Sequence, residues 1–230
     1  MQQREFDKFA EEYRSLHAAN VRVSGETPEY FAEYKVLDAS RALAARGSHA
    51  RNVLDFGAGV GTSVPYFRRY LPDASLTCLD VSEKSLEIGR SRFSGQADFR
   101  AFDGTTIPFD AGTFDVAFAA CVFHHVEVGD QAWLLSELRR VLRPGGTLII
   151  FEHNPLNPLT VHAVNTCPFD ENAILLPAWT MTRRIRRAGY LRIERRFRIF
   201  FPHVFRALRP LERFLTWCPL GAQYSVFATK

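Results

Sequence analysis

The chain has 230 residues, 47% of them hydrophobic and 23% charged, with a formal net charge of +4. That balance supports a sizeable buried core and excludes a disordered chain, while no apolar run is long enough to cross a bilayer and the opening Met1–Lys8 lacks a secretory pattern, so a cytoplasmic location is expected. The four cysteines, Cys78, Cys121, Cys167 and Cys218, are far apart with no C-x-x-C pair, which argues against a disulfide framework or a zinc cluster and makes Cys78 and Cys121 read as small core residues.

Phe6, Phe9, Ala10, Tyr13, Leu16 and His17 recur at helical spacing. After Gly25-Glu26-Thr27-Pro28, a second amphipathic helix is predicted to carry Tyr30, Phe31, Tyr34, Val36 and Leu37. From Asn52 onward, strand and helix patterns alternate, which predicts βαβ units, a parallel sheet and a ligand site beyond the carboxyl ends of the strands. The first strand, Val53-Leu54-Asp55-Phe56, runs into Gly57-Ala58-Gly59-Val60-Gly61. Glycine at alternate positions admits positive φ and removes the Cβ atoms that would block a ligand lying on the turn. Asp55 would repel a pyrophosphate and favour a cation, so the spacing D-x-G-x-G-x-G points away from dinucleotide binding.

A second apolar run, Ala74 to Leu79, ends in Asp80, and a third ends in Phe102-Asp103-Gly104. Phe114 to Ala120 reads as a fourth strand leading to Cys121-Val122-Phe123-His124-His125-Val126. Leu138 to Arg143 reads as a helix end, Pro144-Gly145-Gly146 as a structural turn, and Thr147 to Phe151 as a fifth strand leading to Glu152 and His153. Asp55, Asp80, Asp103, His124 and Glu152 all fall near predicted strand ends and are expected on one rim. The chain closes with strands over 190–201 and 222–229, separated by a helical insert.

In order and at this spacing, these motifs resemble the class I S-adenosylmethionine (AdoMet)-dependent methyltransferases over about residues 36–230, with likeness to the small-molecule and quinone subgroup. The resemblance implies a doubly wound, seven-stranded, mostly parallel sheet with a C-terminal antiparallel hairpin. It implies one domain over 1–230: a helical lid over 1–45, a cofactor-binding core over 46–153, and a substrate-side loop and hairpin with the insert over 154–230. AdoMet is the implied cofactor and S-adenosylhomocysteine its product. Its cationic end suits Asp55 beside Gly57, Gly59 and Gly61. Asp80 and Val81 fall where the ribose is held, Asp103 and Gly104 where the adenine edge is read, and Ala120 at the exit of the fourth strand.

Methyl transfer is an in-line displacement in which the protein aligns the acceptor and, for a hydroxyl, removes its proton. Imidazole suits that task because its ordinary pKa is about 6.5. His124 and His153 are the candidate bases, with His125, Glu127, Asn154, Tyr13 and Tyr30 as candidate substrate contacts. His162, Asn165 and Phe169 are further lining candidates from the long loop over 154–177. No metal site is expected, since no ligand set stands out at fixed spacing.

Residues 183–230 hold eleven Arg and one Lys against Glu194 and Glu212, a balance of +10, which leaves −6 for residues 1–182. Arg192, Arg195, Arg196 and Arg198 fit an edge strand whose charges discourage aggregation. Arg206, Arg209 and Arg213 oppose Val204, Leu208, Leu211 and Leu215 on the insert, a basic amphipathic pattern compatible with an anionic membrane surface or with a phosphate-bearing or lipid-carried acceptor. The expected partner is a small or amphipathic metabolite, with oxygen favoured over nitrogen as the acceptor. The alternatives are an RNA methyltransferase using the Arg-rich region, against which no recognition module is found, and a non-catalytic cofactor-binding protein.

Overall fold

The computed structural model describes residue 21 and residues 24–230, apart from the side chain of Phe169. The predicted helix carrying Tyr13 lies outside the described residues. Helix α1, Pro28–Ala45, starts where expected because Thr27 Oγ1 accepts from Tyr30 N and Pro28 takes the first turn, where no backbone donor is needed. Strands and helices then alternate as β1 (Asn52–Phe56), α2 (Val64–Tyr70), β2 (Ser75–Asp80), α3 (Glu83–Arg92), β3 (Asp98–Ala101), β4 (Phe114–Ala120), α4 (Gln131–Val141) and β5 (Leu142–His153). After these come α5 (Pro158–Asn165), α6 (Ala178–Arg187), β6 (Leu191–Arg198) and β7 (Gln223–Thr229).

The seven strands form one sheet in the order β3-β2-β1-β4-β5-β7-β6. Pairings from β3 through β5 are parallel, whereas β7 runs antiparallel between β5 and β6. The period-2 side-chain alternation divides the core between the two faces of the sheet. Leu54, Ala117, Ala119, Leu148 and Ile150 pack with Leu134, Leu138 and Ile185 from α4 and α6 on one face. Val53, Val116, Phe118, Ile149 and Phe151 pack with Val36, Leu43, Phe67 and Leu86 from α1, α2 and α3 on the other.

Pro144-Gly145-Gly146 lies within β5, at a register shift opposite Phe114 and Val116. Gly145, at φ +78°, donates to Lys230 O, and Lys230 N returns a bond to Gly146 O. The segment is therefore a strand irregularity that seats the end of β7, where glycine admits the left-handed conformation.

β6 is the sheet edge and is ion-paired to α1 and its C-cap: Arg198 Nη2 of β6 lies 2.6 Å from Asp38 Oδ1, and Arg46 Nη2, just past α1, lies 2.5 Å from Glu194 Oε2 of β6. The insert is not the expected α-helix. It is a 3-10 segment, His203–Phe214, interrupted by non-helical backbone at Phe205 and containing Pro210, which has no N–H to donate and clashes with a continuing α turn. Val204, Phe205, Phe214 and Trp217 project from it into solvent, Val204 at 76% and Trp217 at 75% exposure.

Candidate active site

The carboxyl ends of β1, β2, β4 and β5 open into a cavity of about 450 Å³, roofed by residues of α1, α5 and the 199–202 segment. Its floor is the glycine turn. Gly57 N donates to Leu79 O at 2.8 Å, tying the turn to β2, and a Cβ on Gly57 would lie 2.5 Å from Val122 Cγ2. Gly59 faces open space instead: at φ +53°, an added Cβ would meet nothing within 4 Å. That bare backbone is where a flat ligand can lie.

Asp80 holds the turn from the other side, its Oδ2 accepting from Gly59 N at 2.8 Å and its Oδ1 from Ser82 N at 2.9 Å. An ionised carboxylate offers about four lone-pair sites, so capacity remains for a ligand diol. Asp55 is buried on the cavity wall and accepts from Ser63 Oγ. Burial pushes its pKa up to about 7, with the neighbouring Asp80 charge adding to the effect and the Ser63 bond opposing it. The open backbone at Gly59 and the two wall carboxylates suit the nucleoside and cationic parts of AdoMet.

At the opposite end, the 3-10 turn Phe123–His125 brings two histidines to the cavity. Glu152, on β5, fixes that turn: its Oε1 accepts from Val122 N and Phe123 N, while Oε2 lies 2.7 Å from His124 Nδ1. Asp170, from the loop after α5, reaches the other side of the pair. Its Oδ1 lies 3.6 Å from His124 Nε2 and 3.3 Å from His125 Nε2. Burial opposes the charge on His124, but Glu152 and Asp170 outweigh it and raise the pKa to about 10. That direction favours the protonated ring at neutral pH and counts against the expected role as base. Burial lowers the pKa of His125, and the Asp170 contact does not reverse this.

Cys121 is a site residue rather than the core residue expected from its apolar run. It ends β4 at φ +59° and lines the cavity, and Lys35 Nζ lies 3.1 Å from its Sγ. Burial alone would raise the thiol, but the Lys35 ammonium and His153 outweigh it and bring the pKa down to about 6. A cysteine at a strand exit, followed by two histidines, was the available sequence signal. Lys35 had none, because its partner is distant in sequence. Asp170 was likewise hidden in a long loop.

Of the other expected site residues, Gly57, Gly59, Ala120, His125 and His153 line the cavity with Asp55, Asp80 and His124. Gly61, at φ +74°, packs against Phe93 and Phe99 at the start of the next segment. Several placements differ from expectation. Asp103 and Gly104 lie outside the cavity lining; the exposed Asp103 carboxylate caps its own turn through Thr105 N and Thr106 N. Val81 belongs to the core beneath the sheet end. Glu127 is exposed, and its carbonyl starts the turn into α4 by accepting from Asp130 N and Gln131 N. Asn154 is buried as a scaffold, its Nδ2 donating to Pro219 O and Gly221 O. Tyr30 turns towards the insert, where the Arg209 guanidinium stacks 4.7 Å from its ring, and Phe31 lines the cavity instead. His162 and Asn165 are exposed, while Leu159, Thr160, Ala163 and Val164 supply the α5 contribution to the wall.

Residues 54–150 match the family model described as a methyltransferase domain. Over that segment the chain is similar to methyltransferase domains. Across 107 residues it is 33% identical to a ubiquinone/menaquinone biosynthesis C-methyltransferase of Desulfotalea psychrophila, a match covering 46% of this chain and 43% of that one. Across 115 residues it is 32% identical to an O-methyltransferase of Penicillium expansum, covering 48% and 40% respectively. The matched segment thus spans less than half of either curated relative. The domain's fold extends over the whole chain in one comparison: a possible histamine N-methyltransferase of Thermotoga maritima superposes with a TM-score of 0.69 at 20% identity, covering 99% of both chains. Phosphoethanolamine N-methyltransferase 2 of Haemonchus contortus, in complex with AdoMet, gives 0.60 at 16% identity, covering 84% of this chain and 52% of that one.

Proposed function

We propose that this protein transfers a methyl group from AdoMet to a small or amphipathic metabolite, with oxygen ahead of nitrogen as the acceptor atom. The observation that carries the reading is one cavity running from Gly59 and Asp80 to His125, His153 and Asp170. In this reading Asp80 holds the ribose hydroxyls and Asp55 the cationic end of the cofactor. Bound AdoMet supplies an activated methyl and its own leaving group. Phe31, Leu159, Val164 and Phe200 line the same space and would exclude water while holding an apolar acceptor body. His153, beside Cys121 on the wall, takes the proton from an acceptor hydroxyl, and His124, held by Glu152, keeps the β4 exit in place.

An amphipathic acceptor, free or lipid-carried, also fits the exposed apolar side chains of the insert, which adjoins the cavity through Phe200 and Pro202. Part of the local positive charge is already engaged, with Arg209 Nη2 lying 2.6 Å from Glu26 Oε1 and Arg198 on Asp38, which weakens a phosphate-tracking reading. Among the described residues, no helix is long and apolar enough to cross a membrane.

Calorimetric titration with AdoMet and S-adenosylhomocysteine tests the cofactor assignment, and mass spectrometry of metabolite pools incubated with AdoMet tests transfer. Binding weakened by Asp80→Ala, and turnover lost in His153→Ala with cofactor binding kept, are the expected results. Saturable binding of NADH in place of AdoMet would overturn the reading.

A further inference from the structure

His124, His125 and Asp170 each offer one ligand atom, and the three atoms lie within 4.8 Å of one another. Divalent ions held by imidazole nitrogen and carboxylate oxygen at about 2.1 Å require ligand atoms about 3.0 to 3.4 Å apart in octahedral or tetrahedral arrangements. The Asp170 contacts, 3.3 Å to His125 Nε2 and 3.6 Å to His124 Nε2, are already close to that spacing. The surroundings match as well. His124 presents Nδ1 to the buried Glu152 at 2.7 Å, the carboxylate–histidine arrangement that orients a metal-bound imidazole. All three side chains border the cavity, so an ion among them would keep coordination positions open towards it.

We infer that His124, His125 and Asp170 form a binding site for one divalent first-row transition ion, with Glu152 orienting His124 from behind. Two imidazoles and one carboxylate favour zinc or ferrous iron over magnesium or calcium, which prefer all-oxygen shells. The ion would take the position on His124 Nε2 that faces Asp170 Oδ1 at 3.6 Å, with any proton held there leaving to solvent. The loop over 154–177 is held to the ligands from its far end too, because Ile174 N donates to His124 O at 2.8 Å. An ion held there would therefore bridge this loop to the β4 exit. If methyl transfer is the activity, the open positions suit an acceptor oxygen, which the ion would polarise; binding of the ion itself does not depend on that reading.

The test is titration of the chelator-treated full chain with Co(II), followed by visible d–d absorption and by calorimetry in the absence of AdoMet. One equivalent should bind, with bands of a low-symmetry, nitrogen-containing site. Zn(II) should displace it. Asp170→Asn and His125→Gln should each abolish the bands, and Glu152→Gln should weaken binding by about ten- to a hundredfold. Circular dichroism of each variant separates loss of the site from loss of fold, and the wild-type titration decides the matter alone if the variants do not fold. No saturable equivalent in the wild type would overturn the assignment. So would binding unchanged in folded Asp170→Asn, which would mark adventitious capture by surface histidines. AdoMet binding measured on the same preparation stands or falls separately.

Discussion

His124 Nδ1 and Glu152 Oε2 meet at 2.7 Å between two side chains that are each 1% exposed, joining the end of β4 to the end of β5. Burial disfavours both charges, yet the pair raises the imidazole to about 10 and lowers the carboxyl below its ordinary value. Removing one partner leaves a buried charge with less compensation, so Glu152→Gln should cost about 3 kcal/mol. The pH dependence has a definite sign. A raised histidine contributes fully below its unfolded value of about 6.5 and loses that contribution as pH rises through about 10. A lowered carboxyl contributes above about 4.5 and loses its contribution as pH falls. Urea unfolding between pH 6 and 10 should show a decline that His124→Gln flattens. An unchanged slope would mean that the ring is neutral in the folded protein.

The sheet and the glycine-turn end of the cavity were legible because local signals fix them. Asp55, Gly57, Gly59 and Asp80 are set by strand ends and turn chemistry within one βαβ unit. The acceptor end depends on contacts distant in sequence. Lys35 meets Cys121 across 86 positions, and Asp170 meets the histidines from a loop with no periodic pattern. Asp103 shows how a local signal can be ambiguous: an acid after a strand also suits a turn cap, and here Thr105 N and Thr106 N both donate to its Oδ1. Pro210 was visible, but its effect of turning an α-helix into a 3-10 segment depended on how the insert packs.

Gly57 and Gly59 should respond differently to alanine, although both have positive φ. Each substitution places a Cβ in the left-handed region, at about 1 kcal/mol. At Gly57 the methyl also meets Val122 at 2.5 Å, adding about 1 to 3 kcal/mol of overpacking. Gly57→Ala should therefore lower the thermal midpoint well beyond Gly59→Ala. Gly59→Ala should stay folded and lose AdoMet affinity, because its methyl enters the open cavity face. Equal losses of affinity without a stability difference would place the ligand elsewhere.

Asp55 should make AdoMet affinity depend on pH near neutrality. Its folded value of about 7 exceeds the ordinary 3.8, so the ligand-free protein loses stability as pH rises between these values. A cationic ligand favours the ionised form. AdoMet binding should strengthen by up to tenfold per pH unit below about 7, level off above it, and release a proton in the acidic range. Calorimetry in buffers of different ionisation enthalpy measures that proton. Asp55→Asn should remove both the slope and the release; a persistent slope would assign the titration to another group.

Cys121 should be the cysteine that electrophiles find first. With its pKa near 6, the thiol is mostly thiolate at pH 7, whereas burial pushes Cys78 far up and Cys78 is fully buried. The thiolate is the nucleophile, so iodoacetamide should label Cys121 at pH 7 with a rate that rises through about pH 6. Lys35, at 3.1 Å, supplies the nearest positive charge. Lys35→Met should shift the profile upward by about one unit or more and slow labelling at pH 6 by roughly tenfold. Because Cys121 borders the cavity, AdoMet should protect it, and peptide mapping by mass spectrometry distinguishes it from Cys167 and Cys218. Labelling that ignores both Lys35→Met and the cofactor would mean that the thiol is neither ionised by the ammonium nor beside the bound ligand.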